Sequence, residues 1–292
     1  MMEKQKALFY CRVNQSLSAN AGVVQKCAAQ IKALRNIGWT VDYFWLDDHG
    51  VYINEKQIYT FRFRKFKMLK FIYFFWGLQS LFRKLIKIEN YDLFYFRYEL
   101  SHPDLINTFK KIKNNNPLSF IVLEVPTFPY HLEKKGILRK IQYYIDAHFQ
   151  LELKKYIDYI VHVGIQKKIF DIPTIRITNG LLNNPLEYSI QKSENGDFIQ
   201  LVAIGTWAYW HGLDRLLLGF SEFKKQKGER QNIKLKIIGD GNIVLYKQTI
   251  TNLGLANNVE ILPSLPYKDM KEHLIQADIG IGTLAIFRKG YK

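Results

Sequence analysis

The sequence predicts an α/β protein built as two doubly wound domains, on three observations. Short apolar runs alternate with stretches of helical spacing, the connections between them are brief, and a polar break at residues 180–197 interrupts the alternation. Strands that alternate with helices through short crossovers imply parallel sheets. The length of 292 residues suits two domains, and 48% hydrophobic against 23% charged residues excludes a disordered chain. No internal repeat is visible, which excludes a solenoid or propeller.

Residues 6–12 form a short apolar run suited to a buried strand. A polar loop over 14–21 ends at Gly22, and Val23, Cys27, Ile31 and Leu34 then recur at helical spacing until Gly38 stops the helix. Residues 40–46 are aromatic and β-branched, hence a strand, and 91–97, 119–123, 157–163 and 174–177 also read as extended. In the second half, strands are expected at 198–204, 233–238 and 259–262, with a last one opening at 279–282. Leu213, Leu216, Leu217, Phe220 and Phe223 mark one amphipathic helix, residues 243–253 a second, and Met270, Leu274 and Ile275 a third. The turn signal Asn179-Gly180, the helix-averse Asn183-Asn184-Pro185 and the polar 192–197 separate the halves. The expected division is a first domain at 1–180, a linker at 181–197 and a second domain at 198–292.

Two cysteines, Cys11 and Cys27, fall in different elements and suggest neither a disulfide framework nor a zinc site. The polar N-terminus is no signal peptide, so the expected compartment is the cytoplasm. A formal net charge of +16 makes nucleic acid, membrane surfaces and phosphorylated small molecules candidate partners. Residues 61–87 mix arginines and lysines with eight aromatic side chains between Phe61 and Trp76. That stretch suits either an element lying on an anionic membrane surface or a core helix with solvated ends. Nucleic acid is disfavoured, because the basic residues mix with buried-type aromatics and match no known nucleic-acid-binding pattern.

The chemistry should sit at strand ends. The loop before Gly22 leads into a helix N-terminus, which suits a phosphate, although Gly22 also reads as an ordinary turn residue. Gly205 leads through an aromatic loop to His211-Gly212, and Gly239-Asp240-Gly241 again joins strand to helix. His211 would donate to a phosphate oxygen or cap its helix, and the glycines permit either a close ligand or a turn. Neither a dinucleotide fingerprint nor a P-loop motif occurs.

These motifs, in their order and spacing, resemble the GT-B glycosyltransferases, family 4 (group 1) in particular. Leu201-Val202-Ala203-Ile204-Gly205 with Trp210-His211-Gly212-Leu213-Asp214-Arg215-Leu216 is similar to that family's opening strand and helix in the nucleotide-sugar domain. Ile237-Ile238-Gly239-Asp240-Gly241 resembles its glycine turn, and residues 258–262 and 276–282 its later strands. In the first half, residues 95–98 and 124–130 look like strand ends facing an acceptor, and Thr178-Asn179-Gly180 like the interdomain turn. The resemblance implies two Rossmann-like domains and a retaining transfer of a sugar from a nucleotide-sugar to an acceptor hydroxyl. No cofactor and no metal are implied; the nucleotide-sugar is a substrate.

The implied donor-binding residues are Gly205, His211, Gly212, Gly239, Asp240, Gly241, Arg288 and Lys289. Those implied on the acceptor side are Gly22, Arg97 and Glu124; Glu124 is also the one candidate catalytic acid, at a strand end where it would orient the acceptor, though a lone acid there is more often structural. Two departures stand out. The Arg/Lys pair that holds the donor diphosphate in many relatives is missing from 206–212, and Arg288 and Lys289 are candidate replacements. The family's E-x7-E element has no counterpart before Lys292, so no catalytic residue is assigned and the second domain is expected to be incomplete. An inactive remnant is therefore one alternative. A peripheral membrane protein using 61–87 is another, and a nucleic-acid-binding protein a third. The basic, aromatic first half agrees with a lipid-linked saccharide acceptor at the inner face of a bacterial membrane, in surface polysaccharide synthesis.

Overall fold

The structure is a computed structural model that describes residues 5–17, 20–61, 77–130, 137–178, 198–227 and 232–289. The chain divides into two compact units, Met1–Leu182 and Asn183–Lys292. The expected linker at 181–197 and the basic, aromatic residues 62–76 lie outside the described residues.

Unit 1 runs β1 (Lys6–Asn14), α1 (Ala21–Asn36), β2 (Thr40–Leu46), β3 (Gly50–Ile53), β4 (Lys56–Thr60), α2 (Leu78–Leu85), β5 (Leu93–Arg97) and α3 (Pro103–Asn115). It continues with β6 (Phe120–Val125), α4 (Ile137–Phe149), β7 (Tyr159–His162), β8 (Lys168–Ile169) and β9 (Ile172–Arg176). The sheet order is β4-β3-β2-β1-β5-β6-β7-β9-β8, parallel from β2 to β9. β1 pairs with β2 on one side and β5 on the other, so the strand order reverses at the β1/β5 step. In such sheets that reversal opens a crevice at the carboxyl ends of the strands.

Residues that alternate along β1 divide between two cores. Leu8 and Tyr10 join Phe82, Phe94, Phe96, Phe109 and Ile112 on one face of the sheet. Ala7, Phe9 and Cys11 join Cys27 and Ile31 of α1 on the other. The period of two along a strand thus builds both layers of a doubly wound fold. Within the aromatic stretch 61–87, Phe61, Leu78 and Phe82 pack into the first core. Lys84, Leu85 and Lys87 at the end of that stretch are exposed. Among the described residues no helix is long and apolar enough to cross a membrane.

Unit 2 runs β10 (Ile199–Ile204), α5 (Leu213–Lys227), β11 (Ile233–Ile238), α6 (Ile243–Asn252), β12 (Val259–Leu262), α7 (Tyr267–Ile275) and β13 (Ile279–Ile281). Its four described strands are all parallel, in the order β12-β11-β10-β13. Here the order reverses between β10 and β13. Ala203, Leu235 and Ile237 from the sheet pack against Leu213, Leu217 and Phe220 of α5 and Ile250 of α6.

Both units therefore have the doubly wound α/β architecture that the alternation predicts. The hairpin β3–β4 and helices α3 and α4 are additions that the sequence reading does not contain. In α3, Pro103 opens the helix and Leu105, Ile106, Phe109 and Ile112 supply a buried stripe at helical spacing. The first helix starts at Ala21, so Gly22 is its second residue and not the end of a loop.

Candidate functional site

In unit 2 three strand-end segments are tied together. Gly239 has φ 140°, and a Cβ built on it would lie 1.8 Å from the Gly205 carbonyl oxygen. Only glycine fits there, because β10 and β11 end in backbone contact. Gly241, at φ 154°, closes on Trp207 at 2.9 Å in the same way, and Trp207 N–H donates to the Asp240 carbonyl at 2.6 Å. A Cβ built on Gly212, at φ 74°, would lie 2.9 Å from the Ala285 Cβ in the segment after β13. The Leu284 amide donates to the His211 carbonyl at 2.9 Å, which ties the same two segments. The glycines Gly205, Gly212, Gly239 and Gly241 thus bring the segments after β10, β11 and β13 to one sheet edge, with Asp240 in the turn.

Several groups there are committed within the protein. Gly205 N–H donates to Ile238 at 3.0 Å and Gly239 N–H to Leu262 at 3.1 Å, so these amides serve the sheet. His211 Nδ1 accepts the Ala208 amide at 3.0 Å, which leaves the neutral ring its proton on Nε2. Arg288 forms a two-armed pair with Asp214, both arms at 2.8 Å, donates to the Tyr209 carbonyl at 3.0 Å and lies 4.3 Å over the Tyr209 ring. Asp214 stands in the first turn of α5, where a carboxylate complements the helix dipole. The Arg288 hydrogen bond, ahead of burial, holds its carboxyl below the usual range. Lys289 ends the short helical turn at Ile286–Lys289. Asp214 is a partner that sequence reasoning does not single out. Its place in the first turn of a helix is the signal that marks it.

In unit 1 a cavity of about 530 Å³ lies at the β1/β5 reversal. Arg12, Asn14 and Asn20 line it from the β1–α1 side, Arg97 to Leu100 from the end of β5, and Arg139 and Tyr143 from α4. Leu100 has φ 146°, a strained value for a non-glycine residue, of the kind that concentrates at functional sites. Gly22 does not line the cavity, and a Cβ there would meet nothing.

Glu124 lies beneath the cavity and is 1% exposed. Its Oε1 accepts Arg97 Nη1 and Lys26 Nζ, each at 2.9 Å. Its Oε2 accepts Gln30 Nε2 at 3.0 Å and the Tyr95 hydroxyl at 3.1 Å. Burial pushes its pKa up, but the charges of Arg97 and Lys26 and the hydrogen bonds outweigh that, and the carboxyl stays below its ordinary range. Held in this way by four donors, Glu124 orients Arg97, and it does not line the cavity. A second buried carboxylate, Asp146 of α4, accepts from Tyr98, Tyr130 and the Ser101 amide. Burial raises its pKa. Arg12, Arg139 and Asp146 are missed by the sequence reading because no local pattern joins residues so distant in the chain. Among the described residues no group of three His, Cys, Asp or Glu is placed to hold a metal ion.

Residues 187–283 match the family model described as glycosyl transferases group 1. A search of curated proteins gives no match. Among solved structures, the chain is similar to HepE of Anabaena in complex with UDP, with TM-score 0.54 and 12% identity over 94% of this chain and 73% of that one. It is similar to a glycosyltransferase from Rickettsia africae, with TM-score 0.55 and 14% identity over 95% of this chain and 72% of that one. The catalytic domain of starch synthase IV from Arabidopsis thaliana, bound to ADP and acarbose, gives TM-score 0.59 and 9% identity over 94% of this chain and 77% of that one. Likeness at such identities establishes the fold, which is GT-B.

Proposed function

From a GT-B chain whose residues 187–283 carry the group 1 glycosyl transferase signature, we propose a retaining transfer of a sugar from a nucleotide-sugar to an acceptor hydroxyl. The carrying observation is the glycine-lined edge of unit 2, where Gly239 lies against the Gly205 carbonyl in the matched region. These close contacts draw the ends of β10 and β11 and the segment after β13 together at the carboxyl edge of the sheet, where ligands of doubly wound folds bind. The leaving diphosphate gains negative charge, and donors fixed in advance stabilise it. His211, with its proton on Nε2, and Arg288, anchored by Asp214, supply candidate donors. Unit 1 would hold the acceptor. The UDP- and ADP-bound relatives support a nucleoside diphosphate.

A role in surface polysaccharide synthesis on a lipid-linked acceptor is part of this reading. Its support is α4, whose Ile137, Leu138, Ile141 and Tyr144 are exposed beside Arg139 and Lys140, an amphipathic pattern suited to a lipid surface.

Calorimetry with UDP, UDP-glucose and ADP-glucose tests the donor site. One of them should saturate, and Gly239→Ala should weaken it at least tenfold, with residual folding checked by circular dichroism. No saturation by any of them up to about 1 mM would remove the reading.

A further inference from the structure

The unit 1 cavity is chemically lopsided. Among the described residues Arg12, Arg97 and Arg139 line it, against one lining carboxylate, Glu99. Arg12 Nε is 2.6 Å from Glu99, and the side chains of Arg12 and Arg97 are only 8% and 9% exposed. Arg97 meets Glu124 beneath the cavity, while Arg139 turns Nη1 to the neutral Gln142 at 2.9 Å and has a buried Nε that makes no hydrogen bond among the described residues. Arg12 and Arg97 each already face one carboxylate, so the unmatched charge in the lining belongs to Arg139, and planar guanidinium forks fit phosphate oxygens in pairs. The start of α1 adds to this, for Asn20 and Val23 line the cavity, and the first turn of α1 holds no acidic residue. Tyr98, Tyr130 and Tyr143 form an aromatic group in the lining, with ring centroids 5.7 and 6.1 Å apart, and Arg139 lies 5.1 Å over the Tyr143 ring. The volume exceeds that of a bare phosphate and leaves room for an attached sugar.

We propose that this cavity binds a phosphoryl group carried by the acceptor, through Arg139, Arg97 and Arg12, with the tyrosines against the adjoining sugar. Its name as the acceptor site rests on the glycosyl-transfer reading; its chemistry as an anion site does not. Arg139 is the residue to test, since it is half-buried on α4 and the other two arginines sit in buried ion pairs whose loss threatens folding.

The experiment is calorimetry of the full chain with inorganic pyrophosphate in saturating UDP. Pyrophosphate should still bind, with Kd raised at least tenfold in Arg139→Gln and by less in Arg139→Lys, and with unchanged melting temperatures. Displacement of pyrophosphate by UDP, or equal affinity in Arg139→Gln, overturns the proposal and leaves the donor reading intact. Failure of UDP to bind, with Arg139-dependent pyrophosphate binding retained, sinks the transfer reading and supports the anion site. Two further arms distinguish the source: a soluble hexose 1-phosphate and vesicles bearing a polyprenyl diphosphate. Arg139-dependent binding of the first assigns a soluble phosphosugar and of the second a lipid-anchored one; binding of neither overturns the acceptor assignment.

Discussion

Glu124 shows how a residue with the look of a catalytic acid becomes a structural anion. A general acid needs a carboxyl that holds its proton near neutral pH, and burial alone would provide that. Four donors reverse the effect and keep Glu124 ionised. The unfolded chain, with an ordinary glutamate near 4.5, takes up the proton before the folded one does. The contribution of Glu124 to stability is therefore complete above that unfolded value, and it is lost as pH falls through the lower folded value. Glu124→Gln should leave Arg97 and Lys26 without their counter-charge, cost about 3–5 kcal/mol in urea unfolding, and flatten the acid limb of the stability profile. An unchanged acid limb would show that Glu124 is not the ionised hub.

At the scale of elements, what the sequence discloses depends on how local the signal is. The parallel strands were legible because apolar runs such as 199–204 and 233–238 stand between polar turns. The glycine turns were legible because Gly239 and Gly241 follow a strand directly. Helix α4 was not, because Ile137, Leu138, Ile141 and Tyr144 are apolar on its exposed side while Gln142 and Asp146 are buried, an inversion of the usual pattern. The arginine cavity was hidden because Arg12, Arg97 and Arg139 belong to β1, β5 and α4, and only the sheet order brings them together. The packing of α1 on β1 can be checked through the two cysteines. Cys11 and Cys27 are buried, with their sulfurs 3.7 Å apart between strand and helix. Neither thiol should react with an aromatic disulfide reagent in the folded chain, and both should react on unfolding. Rapid labelling under native conditions would mean that α1 lifts from the sheet.

For the whole chain, the two units differ in how well each is covered. Unit 1 carries a core on both faces of its sheet, with Phe9, Tyr10, Phe44, Phe94 and Phe96 all fully buried or nearly so. Among the described residues unit 2 has one smaller core, and its short strand β13 leaves Ile279 48% exposed, with Ile286 and Phe287 exposed after it. Apolar area removed from water is the main favourable term in folding, so unit 2 should be the less stable body. Hydrogen exchange followed by mass spectrometry along a urea series should then show two opening transitions, with residues 198–289 exchanging first. A ligand that binds only the folded form raises stability by RT ln(1 + [L]/Kd), about 2.7 kcal/mol at 100 times Kd. UDP should move the unit 2 transition by that amount, and inorganic pyrophosphate added beyond it should move the unit 1 transition. If a single transition covered both units, or if UDP protected unit 1 alone, the assignment of the donor to unit 2 and the anion to unit 1 would have to be exchanged or abandoned.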